Sequence, residues 1–199
     1  MITSIKAFKE VFKPYNLASR QQELREQTIK MLGQEILNGD LIVEPWMIDL
    51  DPSRVKVRKI VGNLECSELG LTSLPAWFQS IEKVTGSFDC RNNKLTSLES
   101  SPQTVGGSFW CDNNQLTSLE GSPQTVGRSF LCYNNKLTSL EGGPQTIGWS
   151  FYCHSNKLTS LQGLPKEISG DLWCFSNAKQ FTETDIPKET KIGCQIKFT

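Results

Sequence analysis

The 199-residue chain has no excess of either charge: 21 Lys and Arg stand against 21 Asp and Glu, and no run of like charge interrupts the balance. Affinity for nucleic acid rests on clustered cations that neutralise phosphates, so nucleic acid is set aside as the main partner. No apolar stretch approaches the length needed to span a bilayer. The first residues carry no apolar core of signal-peptide length either, because Lys6, Lys9, Glu10 and Lys13 break them up. The expectation is a soluble, cytoplasmic protein without membrane contact. Histidine is nearly missing. His154 is the only one, and a catalytic relay would have to be built on it. Its neighbours in the adjacent repeats, Tyr133 and Phe175, cannot orient or activate an imidazole as a carboxylate would.

Seven cysteines invite comparison with a disulfide framework, but their spacing says otherwise. Cys90, Cys111, Cys132 and Cys153 follow one another at intervals of 21, and Cys174 continues the step. Cys194 follows after 20, and Cys66 precedes Cys90 by 24, with the extra residues around Trp77. All seven are therefore expected in one register of one repeat, as small buried hydrophobes. They lack Cys-x-x-Cys pairs and face an apolar interior, so no metal and no cofactor are expected.

Each repeat reads as a short strand followed by a turn. In Ser108-Phe109-Trp110-Cys111-Asp112, alternation puts Phe109 and Cys111 on one face and Ser108, Trp110 and Asp112 on the other. Asn93, Asn114, Asn135, Asn156 and Asn177 recur three residues after each cysteine, where an amide can bond free backbone groups of the turn and the next coil. Leucines of the Leu-Thr-Ser-Leu segment complete the core. Pro102, Pro123, Pro144 and Pro165 forbid a helix on the return path, which should be extended or a tight turn. The paired Thr and Ser have no recurring acid or base to activate them.

Phe-x-Cys-x-x-Asn-x-Leu resembles the strand and turn of leucine-rich repeats, with Phe and Cys in place of two leucines. The short Thr-Ser-Leu-x-Gly-x-Pro return resembles repeats of the bacterial and bacteriophage type. The resemblance covers about residues 62 to 199. It implies a mainly β solenoid that binds through a concave strand face. With Gly39 to Val43 taken as a degenerate first strand, the array has about eight parallel strands, residues 40–199, and the last strand spans Lys191 to Phe198. Residues 1–39 are expected to form an N-terminal helical cap. Ile5, Phe8, Val11 and Phe12 fit one helix over 4–13. A second helix opens at a Ser19-x-x-Gln22 capping box and runs to about Asn38, with Leu24, Thr28, Met31, Leu32 and Ile36 as its apolar stripe.

The repeats leave two positions free. Between Phe and Cys stand Asp89, Trp110, Leu131, Tyr152 and Trp173; just after Cys stand Arg91, Asp112, Tyr133, His154 and Phe175. Both rows face outward, and Arg128 and Trp149 at the start of the strand extend them. An outward face with no task would hold small polar residues; contiguous aromatics instead have the composition of a protein-binding hot spot. The expected function is non-enzymatic capture of a partner protein, with a phage-borne inhibitor of a host factor as one form of it. A small-ligand or carbohydrate module and a self-assembling homo-oligomer are the alternatives.

Overall fold

The computed structural model describes residues 17–199; the helix expected over 4–13 lies outside them. One α-helix, α1 (Leu17–Leu32), leads into sixteen short strands. In chain order these are β1 (Ile36–Asn38), β2 (Leu41–Ile42), β3 (Lys59–Val61), β4 (Leu64–Glu65), β5 (Lys83–Val84), β6 (Phe88–Asp89), β7 (Thr104–Val105) and β8 (Phe109–Trp110). They continue as β9 (Thr125–Val126), β10 (Phe130–Leu131), β11 (Thr146–Ile147), β12 (Phe151–Tyr152), β13 (Glu167–Ile168), β14 (Leu172–Trp173), β15 (Lys191–Ile192) and β16 (Ile196–Lys197). Odd-numbered strands form one parallel eight-stranded sheet and even-numbered strands form a second. Each turn of the chain adds one strand to each, which makes the molecule a mainly-β solenoid of eight coils preceded by a helix. The even sheet is the array read from the repeats. The odd sheet occupies the return path, where extended backbone was expected; its strands of two or three residues precede the Gly that turns the corner.

The core is a set of ladders between the two sheets. Val84, Val105, Val126, Ile147 and Ile168 line the odd sheet, while Phe88, Phe109, Phe130, Phe151 and Leu172 face them from the even sheet, all buried. Successive phenylalanine rings sit 5.1 to 5.5 Å apart. At about 25 cal/mol per Å2 of apolar surface removed from water, burial of this column stabilises the stack. The cysteine row begins with Val43, continues from Cys66 to Cys174, and is buried throughout. Burial holds these thiols well above the ordinary thiol range, Cys174 to about 12.

Asparagines close the coils as expected. The Asn135 amide nitrogen donates to the carbonyls of Cys111, Cys132 and Tyr133, at 3.0, 3.1 and 3.3 Å. Its Oδ1 accepts from the Leu116 N–H at 2.9 Å. The preceding residue in each turn takes the left-handed conformation: Asn92, Asn113, Asn134, Ser155 and Ser176 have φ between 51° and 56°. Asn tolerates that region better than most side chains because its short polar group bonds locally. At the opposite corner Gly127 is required by proximity, since a Cβ there would fall 2.2 Å from the Gly106 carbonyl oxygen. The recurring serine of Thr-Ser-Leu is a turn former: Ser97, Ser118 and Ser139 accept from the N–H groups of Glu99, Glu120 and Glu141.

Four expectations are corrected. Helix α1 ends at Leu32, not near Asn38; Ile36–Asn38 is instead β1, paired with β3. Ser19 lies inside α1, so it does not cap it, and Leu24, Met31 and Ile36 are exposed while only Leu32 of the stripe is buried. Lys56 N–H bonds the Leu32 carbonyl at 2.8 Å, drawing the chain into the coils at that point. The last strand of the expected array is two strands, β15 and β16, one in each sheet. Cys194 also leaves the register: Leu172 pairs with Ile196, so Phe198 takes the cysteine position and Cys194 is exposed at the corner. The cause is an insertion in the last coil, where a 3-10 turn at Glu183–Asp185 carries extra residues. The insertion noted around Trp77 is likewise a 3-10 helix, Ala76–Ser80, with Trp77 and Phe78 buried and Trp77 Nε1 donating to the Met47 carbonyl at 2.7 Å.

Candidate functional site

Strand register fixes the outward rows of the even sheet. The pairs Glu65–Asp89, Asp89–Trp110, Trp110–Leu131, Leu131–Tyr152, Tyr152–Trp173 and Trp173–Lys197 form one continuous row. Two residues further along each coil, Arg91, Asp112, Tyr133, His154 and Phe175 form a second. The structure therefore brings together ten of the eleven side chains singled out from the sequence. Trp149 is the exception. It stands beside Arg128 at the corner between the sheets, 55 % exposed, in a shallow cleft with Ser108 and Ser129.

The rings pack on each other and are half-buried, less open than the sequence suggested. Tyr133 and His154 stack at 4.6 Å, and His154 and Phe175 stack at 4.4 Å with planes 5° apart. Both faces of the imidazole are therefore covered, and the stack shows its edges to solvent. Tyr152 meets Trp173 edge-on at 4.9 Å. Burial pushes the His154 imidazole down from its ordinary range, and nearby Lys197 adds to the effect.

The two ends of the face differ in charge. At the far end Lys197 lies over both Trp173 and Phe175, 5.1 Å from each ring centre. At the near end stand Glu65, Asp89 and Asp112, with Arg91 among them. Arg91 Nη2 is 3.1 Å from Asp89 Oδ2, and its guanidinium lies 5.3 Å over the Trp110 ring. Asp89 and Asp112, expected on an open surface, are buried by their neighbours in the rows, at 7 % and 1 % exposure. Burial raises both carboxyls; Arg91 pulls Asp89 back, and the neighbouring Tyr133 hydroxyl and Arg91 pull Asp112 back. Asp112 Oδ2 accepts from Asn113 Nδ2 at 2.7 Å, and Asn113 in turn accepts from Asn134. Lys197 and Glu65 were missed in the sequence. Lys197 belongs to the row only once the insertion in the last coil is counted, and Glu65 sits in the longer coil before the regular repeats begin.

Among the described residues no three His, Cys, Asp or Glu side chains converge as a metal site requires, and no helix is long and apolar enough to cross a membrane. Fold and face together define a parallel β-solenoid with an aromatic, charge-graded strand surface. Comparison of the chain with protein-family models, curated proteins and solved structures finds no match.

Proposed function

We propose that this chain is a non-enzymatic binding protein that captures a partner protein on the outward face of the even sheet. The observation that carries this reading is the contrast between rows. The solenoid needs Phe, Cys, Asn and Leu inside, and it repeats them; the positions it leaves free are filled with Trp110, Tyr133, Tyr152, His154, Trp173 and Phe175 in two adjacent rows. Large rings on an outward face, flanked by Arg91, Asp89 and Lys197, match the composition of protein-binding hot spots. The resemblance to leucine-rich repeats of the bacterial and bacteriophage type points the same way, and in a phage setting the partner is a host factor that binding inhibits. Ring stacking favours a protein over a sugar or nucleobase, because those ligands need an open ring face and His154 has none free. The chain acts where its partner is, and cytoplasm is the setting in which its unpaired thiols persist.

The test is affinity capture from bacterial lysate with wild-type protein and the Trp110→Ser, Trp173→Ser double variant, read by mass spectrometry, with circular dichroism as the folding control. A single protein retained by wild type and lost by the folded variant is expected. Equal retention by both proteins would remove the face from the reading, and a mass that rises with concentration would move it to self-assembly.

A further inference from the structure

The near end of the face gathers three carboxylates around one cation, and one of its carboxylate oxygens has no partner. Glu65 and Asp112 both act on Asp89 as like charges, and Arg91, whose side chain is 44 % exposed, is the single cation paired among them. Asp112 is 1 % exposed; Asn113 holds its Oδ2 and the Tyr133 hydroxyl stands near the carboxyl, but no donor of the described residues is within hydrogen-bond geometry of the enclosed Oδ1. A buried carboxylate oxygen left without a donor is destabilising, so the arrangement is poor as structure alone. It lies between Trp110 and Tyr133, whose π-systems favour a cation beside them.

We infer that this end of the face receives a lysine or arginine side chain of the bound protein, seated beside Trp110 and Tyr133 and donating to Asp112. Arg91 already displays the chemistry, with its guanidinium on Asp89 and over Trp110. It stands close to Asp112 with much of its side chain in solvent, and the incoming cation reaches Asp112 past it. Lys197, at the far end, makes no ion pair among the described residues and repels a second cation. The face is thus polarised along the solenoid axis, and the partner lies on it in one direction, basic group toward Glu65. The inference rests on the reading of this face as protein-binding.

The probe is a random dodecapeptide display library, selected on wild type and on the Trp110→Ser, Trp173→Ser variant, with winners titrated by tryptophan fluorescence. Peptides that depend on the two tryptophans are expected to be enriched in Lys or Arg. Their affinity should fall about ten-fold or more in Asp112→Asn and by a smaller factor in Glu65→Gln, whose exposed position leaves folding untouched. Changing the peptide's basic residue to Gln should give the same loss on wild type and no further loss on Asp112→Asn. Tryptophan-dependent peptides without a basic bias, or bound equally by Asp112→Asn and Glu65→Gln, would overturn the inference and leave the binding face standing. If no peptide depends on the tryptophans, the face reading fails and the inference falls with it.

Discussion

Asn135 holds four hydrogen bonds that tie its own coil to the one before it. Replacing it with Ala leaves the buried Leu116 N–H without a partner and removes one of two donors from the Cys111, Cys132 and Tyr133 carbonyls, which keep Asn114, Asn156 and the Asn113 N–H. Asn135→Ala should cost about 1–3 kcal/mol, read as a lower urea midpoint. This role was legible in the sequence, because an asparagine recurring beside a predicted turn has few other uses. The left-handed residue before it was not singled out, since Asn113 and Ser155 share a conformation but not a side chain. Asp112 makes the opposite argument. Its carboxyl binds a proton more tightly in the folded chain than in the unfolded one, because burial disfavours the charge. The folded state then holds more protons in the window from the ordinary aspartate value up to the raised one, and stability falls as pH rises through it. Asp112→Asn should therefore be more stable than wild type at neutral pH. That advantage should shrink as pH falls to 4 in parallel urea titrations. A residue that costs stability where it stands is what a binding site built for another molecule entails.

At the scale of elements, the regular coils were readable and the irregular ones were not. Four near-identical repeats state their own register, so the even sheet and its inward ladder followed from spacing alone. The odd sheet did not, because a two-residue strand such as Thr125–Val126 is too short for alternation to register. Cys194 misled for a related reason: the insertion around Glu183–Asp185 shifted the last coil, and a cysteine fell near the expected interval by position without taking the role. Helix α1 misled through its stripe. Leu24, Thr28, Met31 and Leu32 have helical spacing, yet the solenoid covers only Leu32. Leu32→Ala should accordingly cost about 2–4 kcal/mol, whereas Leu24→Ala should stay within about 0.5 kcal/mol, both measured by denaturant titration. Similar costs for the two would mean that the helix packs on the first coil through its whole stripe.

Over the whole molecule, each coil touches chiefly the coil before and the coil after. The face gains its length from that plainness: Glu65 and Lys197 lie far apart in sequence yet belong to one row because every coil in between adds one rung. The site was legible as a row of aromatics. Its polarity was not, because the charged ends sit in the irregular coils on either side of the clean repeats, and only strand pairing shows that they join the same line.

The constant register also has a mechanical meaning. Pulled apart by its ends, a stack of this kind has no single core to rupture; it sheds one rung at a time. Each regular coil of 21 residues releases about 70 Å of slack chain, at an extended length of about 3.3–3.6 Å per residue. An optical trap should therefore record a staircase of near-equal steps through the central repeats, and one cooperative rip would contradict the picture. Under load the molecule is a tape measure, graduated by its own repeat.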